Sequence, residues 1–181
     1  MPVRFLRLAI GVCAWVAASA MAAQWGAWEA EFDDDKKAWK EIEAQIPAYP
    51  QPKNLALVDA GSATAHKFYV DTASITVGED GVVRYTSVVK TGGGATNVTF
   101  EGMRCSTREQ KLYALGRSDG SWVRARTSKW QRIMHRDLAP HHWVLYREFF
   151  CPQPSIPTPP KVAIEALKRG VRLGQSPTLT E

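Results

Sequence analysis

The sequence predicts an α+β fold: an antiparallel β-sheet of five to seven strands with helices packed on one face and one disulfide. Three observations predict it. Across residues 66–133, apolar and polar residues alternate in short runs separated by turn residues, the period of half-buried strands. Residues 161–169 instead follow helical spacing and stop at a glycine, Gly170. Two cysteines, Cys105 and Cys151, remain once an amino-terminal export segment is set aside, and in an oxidising compartment such a pair is expected to be bridged.

The export segment is residues 1–22. Arg4 and Arg7 precede an apolar run over 8–18, and Ala20-Met21-Ala22 supplies a small-residue exit, the pattern of a secretory signal peptide too short to span a membrane. Cleavage after Ala22 removes Cys13 and leaves 159 of the 181 residues, enough for one domain with tails. A lipid anchor is not expected, because Val12 precedes Cys13 and that cysteine lies too early. The expected location is the periplasm, with the outer-membrane periphery or secretion as further destinations.

The formal charge of +5 falls to +3 without Arg4 and Arg7, and it is unevenly spread. Residues 23–46 hold seven acids (Glu29, Glu31, Asp33, Asp34, Asp35, Glu41, Glu43) against Lys36, Lys37 and Lys40. Residues 104–136 hold nine Lys/Arg against Glu109 and Asp119. Such asymmetry points either to an anionic partner or to the chain's own acidic arm.

In order along the chain, residues 23–65 form an acidic arm and a proline-containing linker. Trp39, Ile42 and Ile46 recur at helical steps, which predicts a short amphipathic helix ended by Pro47. The domain proper is expected over 66–170. Phe68 and Val70, then Ile75 and Val77, form a strand returned by Gly78-Glu79-Asp80-Gly81 into a second over 82–90. There Val83, Tyr85 and Val89 share one face and Arg84, Thr86 and Lys90 the other, as in a sheet with one wet side. Gly92-Gly93-Gly94 turns the chain into a strand over 97–103. A second hairpin joins 110–117 to 121–126 through Ser118-Asp119-Gly120, and a short strand over 129–133 closes the sheet. Residues 138–150 fit a helix by the spacing of His142, Leu145, Tyr146 and Phe149, or a buried strand by their aromatic and branched content. In either form Cys151 ties the segment back to Cys105. Residues 171–181 are expected to be loose.

Phe68-Tyr-Val-Asp71, Ser74-Ile75, Val77-Gly78-Glu-Asp-Gly-Val-Val-Arg-Tyr85, Glu101-Gly-Met-Arg-Cys105, Thr107-Arg-Glu109, Lys111-Leu-Tyr-Ala114, Gly116-Arg117 and Leu145-Tyr-Arg-Glu-Phe-Phe-Cys-Pro152 together resemble the CNP-one-like family of exported bacterial proteins. The resemblance spans roughly residues 34–170. It implies a bacterial, periplasmic protein and supplies no catalytic residue to carry over. The order of elements is more loosely similar to surface-adhesin E-type domains.

For catalysis the candidates are His66, His135, His141 and His142, with Asp137 as an acid. A small periplasmic hydrolase built on His135, His141 or His142 is the alternative reading. No His-Glu-x-x-His spacing, Gly-x-Ser-x-Gly elbow or phosphate-cradling Gly-Lys-Ser/Thr ending is present, so no metal or cofactor is expected. The arginine-rich stretch carries the leading reading. Arg108, Arg117, Arg124, Arg126, Lys129 and Arg132, with Tyr113, Trp122 and Trp130 as stacking faces, suit a non-enzymatic envelope module binding an anionic lipid headgroup or glycan, or an envelope protein. Nucleic acid is not an expected partner. Arg104 and the Arg147-Glu148 pair are instead expected to form ion pairs beside the disulfide.

Overall fold

Alternation becomes an antiparallel sheet. The computed structural model describes residues 38–61, 65–134 and 140–174, and seven strands lie among them. These are β1 Leu55–Val58, β2 Lys67–Val77, β3 Val82–Lys90, β4 Thr96–Arg104, β5 Glu109–Gly116, β6 Trp122–Arg124 and β7 Gln131–Arg132. They order as β1-β2-β3-β4-β5-β6, and β7 also pairs β5. Since β4 occupies one side of β5, the three-residue β6 and the two-residue β7 share its other side as an interrupted edge.

The turns follow from their residues. Gly81 adopts φ 73° and its N–H donates to Gly78 O, closing the β2–β3 hairpin as the glycine spacing predicts. The β5–β6 turn closes the same way, Gly120 N–H donating to Arg117 O.

The 138–150 ambiguity resolves to a helix over its described part. Helix α1 Pro140–Val144 widens into π-helical turns over Leu145–Phe150, with Cys151 N–H bonded to Tyr146 O five residues back. Buried Leu145, Tyr146, Phe149 and Phe150 recur at four- and five-residue steps, which suits the wider turn. Cys151 is bonded to Cys105 at the end of β4. Helix α2 Pro160–Arg169 ends at Gly170, φ 65°, whose N–H reaches back to the last carbonyls.

Two clusters lie on the sheet. The larger joins Val70, Val83, Tyr85 and Met103 to Val144, Phe149 and Phe150 of the first helical segment and to Ala163 and Leu167 of α2. The smaller joins Phe100, Ala114, Tyr113 and Trp122 to Ala44 and Ile46.

That second cluster overturns two expectations. Residues 38–46 are not helical. Ile42 N–H donates to Asp80 Oδ2 at 2.9 Å and Ile42 O accepts from Arg84 Nη2 at 2.7 Å, so backbone groups that a helix would pair internally are taken by side chains of the β2–β3 hairpin. The Arg84–Thr86 side of β3 is not wet either: both residues are buried beside this segment. The linker lies along the domain, its residues 55–58 pairing β2 as β1. At the far end, residues 171–174 are held to the domain by Leu173 N–H donating to Glu148 O and by Arg172 pairing with Asp59 and Glu148. Residues 175–181 lie outside the described part.

Candidate functional site

The predicted basic residues gather along the interrupted outer edge of the sheet. Arg117 sits in the β5–β6 turn, Arg124 ends β6, Arg126 and Lys129 occupy the stretch between β6 and β7, and Arg132 lies in β7. All five are exposed. Arg108 departs from the set. It adopts φ 54° in the β4–β5 turn, is half-buried, and lies 5.8 Å from the centre of the Trp143 ring on α1.

The acidic arm takes part of this charge for itself. Glu41 accepts hydrogen bonds from Lys111 Nζ at 2.7 Å, Tyr113 Oη at 2.8 Å and Trp130 Nε1 at 3.1 Å. Burial works against its ionisation, but these donors outweigh it and hold the carboxyl below its ordinary range. The Arg84–Asp80 pair, at 2.7 Å, is almost wholly buried. Arg124 meets Glu43 only at 3.9 Å with both side chains mostly exposed, a weak and screened contact. Arg117, Arg126, Lys129 and Arg132 form no ion pair with any described carboxylate.

The aromatic residues proposed as stacking faces serve the arm as well. Trp130 meets Trp39 edge to face, Trp122 packs against Tyr49, and Tyr113 packs on Phe100. Arg104 lies 3.7 Å over the Trp39 ring rather than in an ion pair beside the disulfide, and Glu148 pairs with Arg172 rather than with Arg147.

On the opposite side of β4 and β5, sequence reasoning missed a second assembly. Tyr85 and Glu101 are direct cross-strand partners in β3 and β4, so their side chains share a face. Glu101 is buried. Its Oε2 accepts from Tyr85 Oη at 2.9 Å and lies 2.8 Å from His142 Nε2, and its Oε1 accepts from Thr99 Oγ1 at 2.6 Å. Burial opposes its charge, yet the His142 imidazole and the Thr99 hydroxyl overcome this and hold its carboxyl at about 2. His141 stacks on Phe68 with ring centres 4.5 Å apart, and burial, aided by His142, depresses it to about 4.

Glu101 and His142 form part of the wall of a groove of about 260 Å³. Gln110 and Leu112 of β5 and Thr99 of β4 line it, and Thr127, Lys129 and Gln131 close it from the outer edge. Gln110 and Gln131 are direct cross-strand partners, which sets two amides side by side. Alternation in this strand, with Val98 and Phe100 as its inward residues, assigns Glu101 to the opposite face, so nothing in the sequence marks its carboxylate as buried.

A family model, the CNP1-like family, matches residues 34–168. The chain belongs to the CNP1-like family. No curated protein and no solved structure matches it. The CNP1-like match runs from before the arm to the last turn of α2, so it takes in the docked arm, the basic edge, the groove and both cysteines.

Within this CNP1-like domain the histidine reading changes. His135 and Asp137 lie outside the described residues. His66 accepts from Gly92 N–H and stands edge-on to Phe68, the ring on which His141 stacks. His141 and His142 do come together, but the carboxylate beside them is Glu101. No described hydroxyl or thiol is hydrogen-bonded to either ring, and the Nδ1 atoms of both are buried without a partner. The arrangement fixes a charge and an imidazole in place and presents no activated nucleophile. Among the described residues no three His, Cys, Asp or Glu side chains are placed to hold a metal ion.

Proposed function

We propose that this CNP1-like protein is an exported periplasmic module that binds an anionic component of the cell envelope through its basic edge. One observation carries the reading. The docked arm meets Lys111 and reaches toward Arg124, yet Arg117, Arg126, Lys129 and Arg132 stay exposed along a single sheet edge without an ion pair to any described carboxylate. A solvated face would scatter such residues, whereas a line of cations raises the local potential for an extended anion. Arginine supports it further, because its planar fork pairs with phosphate and carboxylate. The bridged cysteines accord with an oxidising compartment.

The test is co-sedimentation with vesicles of phosphatidylglycerol and phosphatidylcholine, and retention on dextran sulfate, each at low and high salt. Binding to the anionic probes alone, falling steeply with salt and lost in the triple variant Arg117→Glu, Arg126→Glu, Arg132→Glu, is the expected result. Binding that ignores both salt and charge reversal would overturn the reading.

A further inference from the structure

The exposed edge accounts for attraction to any polyanion, but the groove beside it is too specifically furnished for charge alone. Lys129 belongs to both. Around it stand Gln110, Gln131 and Thr127, neutral groups that each donate and accept, and Thr99, whose hydroxyl donates to Glu101 and is left to accept, with Leu112 as the apolar portion. A phospholipid headgroup or a sulfate ester needs cations and little else. Two adjacent amides flanked by hydroxyls match a ligand that itself carries neighbouring hydroxyls.

Size and rigidity point the same way. The groove holds about 260 Å³, below the roughly 300–1,000 Å³ of pockets for drug-sized ligands, so it suits one small ring. Its inner wall is fixed, because Glu101 engages Thr99, Tyr85 and His142 at once. Glu101 keeps its charge on that inner wall, so an acidic ligand is held at the Lys129 side of the groove, with its hydroxyls toward the wall. The cross-strand register holds Gln110 beside Gln131.

We propose that the groove between α1 and the outer edge of β5 binds one acidic sugar unit of an anionic polysaccharide, its carboxylate on Lys129 and its hydroxyls on Gln110, Gln131, Thr99 and Thr127. The proposal rests on the reading of the edge as an anion-binding surface and narrows it. Arg126 precedes Lys129 along the same edge and is placed for a neighbouring acidic unit, whereas Arg132 alternates with Gln131 to the other face of the sheet.

The test uses a galacturonate hexamer, its methyl ester, dextran sulfate and phosphatidylglycerol vesicles as probes of the purified protein. The hexamer is expected to bind at least tenfold more tightly than its ester. The double variant Gln110→Ala, Gln131→Ala is expected to lose at least tenfold of that affinity with unchanged circular dichroism and unchanged binding to dextran sulfate and vesicles. Equal affinity for hexamer and ester, or a double variant that binds the hexamer like wild type, would overturn the groove. Dextran sulfate retention through the arginines would still stand in that case. The converse pattern, hexamer binding lost in the amide variant while the triple arginine variant binds every anion normally, upholds the groove and removes the edge.

Discussion

Glu101 keeps a full charge beneath the surface, and its neighbours set how the protein answers to acid. Its carboxyl stands at about 2 against an ordinary 4.5, so between those values the unfolded chain binds a proton that the folded chain refuses. The stability this contributes is present above pH 4.5 and disappears as pH falls toward 2. His141 adds to the same slope from a different cause. Burial depresses it from 6.5 to about 4, so the folded state refuses that proton too, and the loss begins near pH 6.5. Each group accounts for on the order of 3 kcal/mol. Urea midpoints are therefore expected to fall continuously from pH 7 to pH 3. Glu101→Gln leaves His142 and Tyr85 without their charged partner, and is expected to cost about 3 kcal/mol at pH 7. It is also expected to flatten the curve below pH 4.5 while leaving the fall between 6.5 and 4.5. A variant curve running parallel to wild type below pH 4.5 would place the refused proton on another group.

The arm over residues 39–46 is the element that periodicity misjudged, and the reason is specific. Periodicity counts side chains, and Trp39, Ile42 and Ile46 satisfy it. The conformation is decided by backbone groups instead, because Asp80 and Arg84, about 40 residues away, take the Ile42 N–H and C=O. β1 was illegible for another reason: four residues, Leu55–Val58, following a run of prolines, give alternation too little length to register. The hairpins were legible because their turns carry glycine where the chain needs it. Gly102 serves differently, as a close approach. A Cβ there would stand 2.5 Å from Tyr113 Oη and 2.7 Å from its ring, displacing the hydroxyl that Tyr113 donates to Glu41. Gly102→Ala is expected to destabilise by about 1–3 kcal/mol. In hydrogen exchange it should strip protection from residues 39–46 before the β2–β3 pair. Undiminished protection across the arm would mean that Tyr113 does not hold it.

For the molecule as a whole, the disulfide was the most legible long-range contact, since Cys105 and Cys151 are the two cysteines left after residue 22 and each ends a recognisable segment. They lie 46 residues apart, so the chain-entropy account gives roughly 4 kcal/mol. The double variant Cys105→Ser, Cys151→Ser is expected to melt well below the oxidised protein and to be indifferent to reductant. An oxidised protein whose melting temperature reductant leaves unchanged would assign the stability to the two apolar clusters alone. The basic stretch was equally legible as composition, but which cations stay free was not. Lys111 meets Glu41 across 70 residues, a pairing that only the folded sheet creates.

The lateral margins of that sheet have a separate consequence. On one side β1 is four residues long; on the other, the strands that finish β5 are three and two residues long, with Arg126 and Lys129 in the gap between them. A neighbouring copy finds no long, flat row of unpaired amides to extend, and any copy that approaches the outer margin meets like charge. Copies of the molecule are thereby kept from joining edge to edge into fibres.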